Sequence, residues 1–296
     1  MQFTARGPVA YTAIVGGRLV RLGCALGLGA LVAFATLTEA SCGAFDTETV
    51  DAGAASSSSS GGSSSSSGGG SDAGIDAPAR TCREERTDFE QTSAITWFDS
   101  TEAPSPSILK ITTSPKSSNA LYAAVTVPAT GAGQSSNGAR RMDVGDAKVA
   151  EVELDAFFGR TPATGTYVEV GCELIARRSA SAAGVTTRIH LEIDDTKLQL
   201  GGSSAENSVV LPNQPDDADI MVVGAPAWHH VLLRMELATG NGTAQVDEIR
   251  RSITVPPADK SPQIFAIKCG VPFADKSPGG TYEAYVDNVA MRLCDR

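Results

Sequence analysis

Apolar and polar residues alternate with a period of two along most of the chain beyond residue 82, which predicts β-strands with one buried face. The clearest examples are the segments 152–158, 167–177 and 188–194. Their inward positions are Val152, Leu154, Ala156 and Phe158, then Val168, Val170, Cys172, Leu174 and Ala176, then Ile189, Leu191 and Ile193. Helical periodicity is nearly absent, so the pattern indicates an all-β domain.

Further strands are predicted between clusters of turn-forming residues. They are Ile108–Thr112, Leu121–Val127, Lys197–Leu200, Val209–Leu211, His229–Leu237, Ala244–Val255, Ile264–Val271 and Tyr282–Leu293. The sequence Gly240-Asn241-Gly242 is a turn signal between two long strands. About eleven strands without crossover helices indicate an antiparallel two-sheet sandwich.

The N-terminal region carries a different pattern, a continuous apolar run from Leu22 to Thr38 that follows Arg18 and Arg21. About 17 apolar residues after basic ones are typical of the hydrophobic region of an export signal. The alternative is an anchor helix that is never cleaved, for which this length is at the short limit.

The run ends at Glu39-Ala40-Ser41-Cys42, which resembles the lipobox of bacterial lipoproteins. That resemblance implies that Cys42 is lipidated, and Gly43 after it implies the outer membrane. Glu39 departs from the aliphatic residue of the lipobox. Ordinary signal-peptidase cleavage after Ser41 or Cys42 therefore stays open, which would release a secreted protein.

A serine- and glycine-rich tract between residues 51 and 78 separates this signal from the strand-patterned domain. Such a composition buries almost no apolar surface and predicts a disordered tether. The predicted organisation is a signal at 1–42, a tether at 43–81 and a β-domain at 82–296. This organisation predicts an exported protein that a lipid anchor at its N-terminus attaches to a membrane.

The net charge restricts the possible partners, and the cysteine pattern restricts the possible sites. The formal net charge of −10 argues against nucleic acid as a partner. The β-domain holds four cysteines and no C-x-x-C pair, which favours disulfides over a redox or zinc site. Four cysteines allow three pairings, and the spacing alone does not choose among them.

Three segments of the β-domain resemble the concanavalin A-like jelly roll of legume lectins, laminin-G-like modules and laminarinase-type glycosidases. They are 88–90 with Trp97, then 228–237 with its hairpin partner 244–247, and 285–291. The resemblance implies a jelly-roll sandwich over 82–296, with Trp228 in the core. It also implies a disulfide between the first and last strands, Cys82 with Cys294. Cys172 and Cys269 fall on the apolar phase of their strands and would pair inside; two buried free thiols are the alternative.

The polar phase of three strands predicts a ligand-binding face. If these strands are neighbours, one sheet face is lined by carboxylates with interspersed arginine and histidine. The residues are Glu151, Glu153, Asp155, Glu169, Glu173, Arg177, Arg188, His190, Glu192 and Asp194. The predicted partner is an extracellular glycan or another envelope component. The alternative is a solvated sheet face without a ligand, which is common in antiparallel sheets.

Candidate catalytic residues on this face are His190, Glu192 and Asp194. Laminarinase-type glycosidases carry E-x-D-x-E on one strand, but Thr196 occupies the third acidic position here. The triplet Arg188-Ile189-His190 is similar to the Q-x-H triplet of alginate lyases but lacks its glutamine. The sequence therefore predicts a non-catalytic, surface-tethered binding domain, with a divergent glycoside hydrolase or lyase as the alternative.

Metal-binding candidates are few. His229 and His230 are adjacent on a predicted strand and point to opposite faces, so they do not form a joint metal site. Asp216, Asp217 and Asp219 are candidate ligands for calcium, because this ion prefers oxygen ligands. The alternative is an acidic surface turn. No other cofactor is predicted.

Overall fold

The structure, a computed structural model, describes residues 80–126, 133–161, 166–179, 184–206, 209–275 and 280–296, together with the backbone of 12–15 and 18–21. The predicted apolar run, Cys42 and the Ser/Gly tract lie outside the described residues. Within the described residues, no helix combines the length and the hydropathy that crossing a bilayer requires.

The described chain is built almost entirely of strands. They are β1 Thr12–Val15, β2 Arg18–Arg21, β3 Cys82–Thr87, β4 Ser100–Glu102, β5 Ile108–Thr113, β6 Asn119–Thr126, β7 Gln134–Asp143, β8 Val149–Phe158, β9 Tyr167–Arg177, β10 Val185–Asp194, β11 Lys197–Glu206, β12 Val209–Val210, β13 Ala218–Val222, β14 Ala227–Glu236, β15 Asn241–Val246, β16 Ile249–Thr254, β17 Ile264–Asp275 and β18 Thr281–Cys294. One short 3₁₀ helix spans Thr92–Trp97.

Beyond the β1–β2 pair, the strands form two sheets. The front sheet has the order β12-β11-β10-β9-β17-β7-β4, with β13 paired to β11. The back sheet has the order β16-β15-β14-β8-β18-β6-β5, with β3 paired to β18. The strand pairs are antiparallel and neighbouring positions in a sheet are often distant in sequence, as in a jelly roll. The predicted all-β, two-sheet jelly-roll sandwich is confirmed.

The core lies between the two sheets and is formed by the inward phase that the sequence predicted. Fully buried side chains include Leu154 and Phe158 of β8, Leu174 of β9, and Ile189 and Leu191 of β10. Burying a side chain of this size stabilises the fold by about 1.5–3 kcal/mol. The opposite phase of the same strands therefore faces outward, where the polar residues collect.

Two disulfides each join directly opposed residues of adjacent strands. Cys82 of β3 is bonded to Cys294 of β18, and Cys172 of β9 to Cys269 of β17. The Cα atoms are 4.1 Å apart in both bridges. The first is the pairing that the family resemblance implied, and the second is the one that the apolar phase of the two strands predicted, so Cys172 and Cys269 are not free thiols. Disulfides of this kind are typical of exported proteins.

The observed strands differ from the sequence prediction in one predicted strand that is divided and in four strands, β3, β4, β7 and β13, that were not predicted. The predicted strand Ala244–Val255 is two strands, β15 and β16, because the chain reverses at residues 247–248. Asp247 adopts a left-handed conformation with φ of 53° there, without the glycine that usually marks such a turn. Strand β7 was not predicted, since most of its residues are polar or small.

Candidate functional site

The predicted ligand-binding face is divided between the two sheets. Glu151, Glu153 and Asp155 belong to β8 of the back sheet, whereas the residues of β9 and β10 belong to the front sheet. The sandwich core separates the two groups. The structure therefore corrects the premise of a single carboxylate-lined face, because β8 pairs with β14 and β18 and not with β9.

The outward side chains of β9 and β10, together with Asp217 of the loop before β13, form a group that we call the front cluster. Its members are Tyr167, Glu169, Glu173, Arg188, His190, Glu192 and Asp217. The cross-strand register places Glu192 opposite Glu169. On the other side of β10, His190 lies opposite Gly201. Four of these side chains are buried although they lie on an outward face: Glu169, Glu173, His190 and Glu192.

A bulge in β9 brings the two glutamates of that strand together. Val170 pairs with Leu191 and Leu174 with Ile189, so the three residues 171–173 of β9 lie opposite the single residue His190 of β10. Gly171 within the bulge has φ of 76°, a conformation that favours glycine. Bulges re-aim side chains, and here both glutamates reach one guanidinium group. Nη1 of Arg188 lies 3.4 Å from Oε1 of Glu169 and 3.0 Å from Oε1 of Glu173.

His190 is the centre of the hydrogen-bonded network. Its Nε2 lies 3.0 Å from Oε2 of Glu192 and 3.0 Å from the hydroxyl oxygen of Tyr167. The Tyr167 hydroxyl donates to Oε1 of Glu169 at 3.1 Å. Nδ1 of His190 and Oε2 of Glu169 have no partner among the described residues. Burial alone would lower the pKa of His190, but Glu169 and the hydrogen bond to Glu192 outweigh it and raise this pKa.

The pKa values of Glu173 and Glu192 shift in the direction opposite to that of Asp217. Burial opposes ionisation of Glu173 and Glu192, but Arg188 and His190 respectively outweigh it, so both pKa values are lowered. Partial burial, followed by repulsion from the neighbouring Glu192 carboxylate, raises the pKa of Asp217 to about 6. Divergent pKa values in adjacent carboxyl groups are typical of functional sites.

Gly201 permits this close arrangement. A Cβ atom there would lie 2.7 Å from Nε2 of His190, 2.8 Å from Oε2 of Glu192 and 3.2 Å from Oδ1 of Asp217. Any side chain at this position would push these groups aside. Sequence reasoning missed Gly201, although a Gly-Gly pair in a strand pattern is a known sign of close approach.

One group of metal-ligating side chains occurs in the described part of the chain: Glu169, Glu173 and His190, with ligand atoms within 4.8 Å of one another. Arg188 already contacts both carboxylates and supplies the positive charge that a metal ion would otherwise bring. We therefore describe this group as an arginine-neutralised carboxylate pair.

The three candidate calcium ligands are directed to different partners. Asp219 accepts hydrogen bonds from Lys197 at 3.0 Å and from Gln199 at 2.5 Å. Asp217 belongs to the front cluster, and Asp216 is exposed. In the described residues these carboxylates do not converge as a ligand set.

The remaining predicted front-sheet residues lie outside the network. Asp194 is at the end of β10 opposite Lys197, and Arg177 is at the far end of β9 opposite Ile264. Thr196 lies in the turn between β10 and β11, so the strand ends before the third acidic position of the laminarinase pattern. The two adjacent histidines face opposite ways, with His229 stacked on Phe158 in the interior and His230 exposed.

Trp228 is not in the core, contrary to what the family resemblance implied. It lies half-buried on the outer face of the back sheet, in a row of rings across four strands that we call the aromatic row: Trp228, Phe157, Tyr285 and Tyr122. The even-numbered positions of β14 face outward, because its odd-numbered residues Val231, Leu233 and Met235 fill the core.

Comparison with known proteins gives fold neighbours but no family. No family model matches the sequence, and no curated protein matches it. Alginate lyase A1-II′, a member of polysaccharide lyase family 7, is similar with a TM-score of 0.45 and 10% identity over 62% of this chain and 83% of that chain. An endo-β-galactosidase from Clostridium perfringens that releases GlcNAcα1-4Gal gives a TM-score of 0.45 and 10% identity over 74% and 64%. A carbohydrate esterase from the Shiga toxin-encoding bacteriophage phi24B gives 0.42 and 12% over 71% and 99%. At such identities these similarities concern the fold and not the ligand or the chemistry.

Proposed function

We propose that this domain binds an extracellular glycan at the front cluster. The observation that supports the proposal is the concentration of buried, ionisable side chains with shifted pKa values on an outward sheet face. Burying charge costs stability, so such a network is typical of a binding or catalytic site.

The chemistry of the accessible groups suits sugar hydroxyls. Arg188 and Tyr167 are half-buried, Asp217 is exposed, and Ser203 accepts a hydrogen bond from Arg188 at 2.8 Å. Sugar hydroxyls both donate and accept, and this mixture of donors and acceptors satisfies them. The four carboxyl groups of the front cluster disfavour a polyanion there, so the ligand at this face is a neutral glycan.

Binding to neutral oligosaccharides should depend on Gly201. Gly201→Ala drives a methyl group against His190 and Glu192, and we expect a loss of affinity of about tenfold or more, the value of one charged hydrogen bond. A glycan array followed by calorimetry on the purified full chain measures this.

Gly224→Ala is the matched control, because a Cβ atom at Gly224 meets nothing within 4 Å. It should bind like the wild type. A wild type that binds no neutral glycan, or equal affinities for Gly201→Ala and wild type, would contradict the proposal.

A second candidate function is hydrolysis or lysis of a polysaccharide. The observation in its favour is the pair Asp217 and Glu192, whose pKa values are moved in opposite directions as an acid and a base require. Reducing-sugar release from neutral and acidic polysaccharides tests it. If the chain is an enzyme, Glu192→Gln should abolish turnover while Asp194→Asn, at the strand end, retains it. Absence of turnover by the wild type would leave the binding function alone.

The cellular location of the domain is proposed from the N-terminal sequence and not from the front cluster. We propose that residues 1–42 are an export signal ending at a lipidated Cys42, that 43–81 are a tether, and that 82–296 are the binding domain. Mass spectrometry of the mature N-terminus distinguishes an acylated Cys42 from an unmodified N-terminus after Ser41 or Cys42, which would indicate a secreted protein.

A further inference from the structure

The outer face of the back sheet carries a cleft lined by arginines, opposite to the front cluster. The register aligns Thr243, Arg234, Glu151 and Arg292 across β15, β14, β8 and β18. The next row aligns Arg250, Gln245, Leu232 and Glu153 across β16, β15, β14 and β8. Directly opposed side chains on antiparallel strands have Cβ atoms about 4.5–5.5 Å apart. Apart from Glu153, the residues of these two rows line a cleft of about 330 Å³ together with Arg80.

Positive charge is in excess inside this cleft. Nη2 of Arg80 lies 2.8 Å from Oε1 of Glu151, and Nε of Arg234 lies 3.7 Å from the same oxygen. Among the described residues, the exposed guanidinium group of Arg250 has no partner. Two guanidinium groups therefore share one carboxylate, and a third lines the cleft without a carboxylate partner among the described residues. Arg292 is neutralised separately by Glu84 and Glu153.

The buried carboxylate gives the cleft a defined geometry. The Glu151 side chain is only 7% exposed and forms ion pairs with both Arg80 and Arg234. Arg250 lines the same cleft from β16, which is separated from β8 by the two strands β15 and β14. A guanidinium group presents parallel N–H donors that match the oxygens of a carboxylate, sulfate or phosphate, and the N–H donors of Arg250 are not engaged by a carboxylate among the described residues.

We propose that this cleft binds an oxyanion group of a ligand. The acidic charge of the whole chain does not prevent this, because charges more than about 8 Å away are largely screened at physiological ionic strength. The proposal is independent of the front cluster, which lies on the other sheet.

The aromatic row favours a sugar as the carrier of the oxyanion. Trp228 lies six residues before Arg234 on the same outward phase of β14, a separation of about 20 Å along the strand. Aromatic rings pack against the apolar faces of sugar rings while arginines bind their acidic substituents. An oligosaccharide bearing sulfate or carboxylate groups spans both features, whereas a free inorganic anion uses the arginines alone.

Calorimetry on the full chain in about 0.15 M salt tests the proposal. The probes are inorganic sulfate, inorganic phosphate, a sulfated oligosaccharide, a uronate oligosaccharide and a neutral oligosaccharide of equal length. We expect binding of at least one anionic probe, weakened about tenfold by Arg250→Gln and also by Arg234→Gln. Arg250 is exposed and unpaired among the described residues, so its variant should fold normally.

Lys260→Gln is the matched control, since it removes one exposed positive charge outside the cleft. It should leave anion binding unchanged, as should Gly201→Ala on the opposite sheet. If inorganic sulfate or phosphate binds, a free oxyanion is sufficient for the cleft. If the acidic oligosaccharides bind and the inorganic anions do not, the cleft requires an oxyanion carried by a sugar. The neutral oligosaccharide is expected at the front cluster, so Arg250→Gln should leave its affinity unchanged. The proposal is overturned if no anionic probe binds, if Arg250→Gln weakens the neutral oligosaccharide as much as the anionic probes, or if Lys260→Gln weakens anion binding as much as Arg250→Gln.

Discussion

Arg188→Gln is expected to lower the free energy of unfolding by about 3 kcal/mol at neutral pH. The substitution leaves the carboxylates of Glu169 and Glu173, whose side chains are 1% and 4% exposed, without the guanidinium group that contacts both. Removing one partner of a buried ion pair is costly because the remaining charge stays desolvated. Urea denaturation of wild type and variant measures the difference.

The pH dependence separates this explanation from a simple loss of packing. In the wild type the pKa of Glu173 is lowered, so the carboxylate contributes stability above its unfolded pKa that is lost as the pH falls. Without Arg188 the buried carboxyl group of Glu173 protonates more readily, and the destabilisation should shrink between about pH 7.5 and pH 5. Arg178→Gln is the control, since Arg178 pairs with Asp259 at the exposed surface, and it should cause no measurable change. A loss that is equal at both pH values would contradict the ion-pair explanation.

Replacing both Cys82 and Cys294 by alanine should destabilise the domain by about 4 kcal/mol, which is about 10 °C in melting temperature. The bridge closes a loop with a sequence separation of 212 residues, and the entropy gained by the unfolded chain grows with the length of that loop. Thermal unfolding of the oxidised wild type and of the double variant gives the value.

The same variant should loosen β3 in particular. This strand pairs only with β18 among the described strands, and most of its side chains are exposed. Besides the ladder and the ion pairs of Glu84 with Arg292 and of Glu85 with Arg140, the disulfide is its covalent attachment. Limited proteolysis should therefore cut near residues 80–90 in the double variant before it cuts elsewhere. Reduction of the wild type should reproduce part of this effect. Unchanged stability of the double variant would show that the bridge contributes nothing to the fold.

The two outward faces of the sandwich differ in charge and therefore in the ligands they suit. The front cluster gathers carboxylates around one arginine and one histidine, whereas the cleft of the back sheet gathers arginines around one buried glutamate. A neutral sugar on one face and an acidic group on the other would let one small domain bridge two glycans, or two parts of one polymer. Gly201→Ala and Arg250→Gln should remove these two activities independently.

The alternation of apolar and polar residues determined much of the fold without any tertiary information. The inward phase of 152–158, 167–177 and 188–194 is the core of the structure, because burial of one strand face requires that alternation. The same phase placed Cys172 and Cys269 inside. Strand limits were less certain where a polar turn such as Asp247-Glu248 has no glycine and where β7 has few apolar residues.

Only the tertiary structure decided which polar residues act together. The outward phase of β8 looks the same in sequence as that of β9 and β10, yet sheet order puts Glu151 and Glu173 on opposite sides of the core. The front cluster forms because the bulge at Gly171 brings Glu169 and Glu173 together and because Gly201 has no Cβ atom to displace their neighbours. The arginine cleft forms because β14, β15 and β16 are paired in one sheet. Periodicity along one strand specifies which face of the sheet a side chain occupies. It does not specify which strands are neighbours, because that depends on pairing between segments that are distant in sequence.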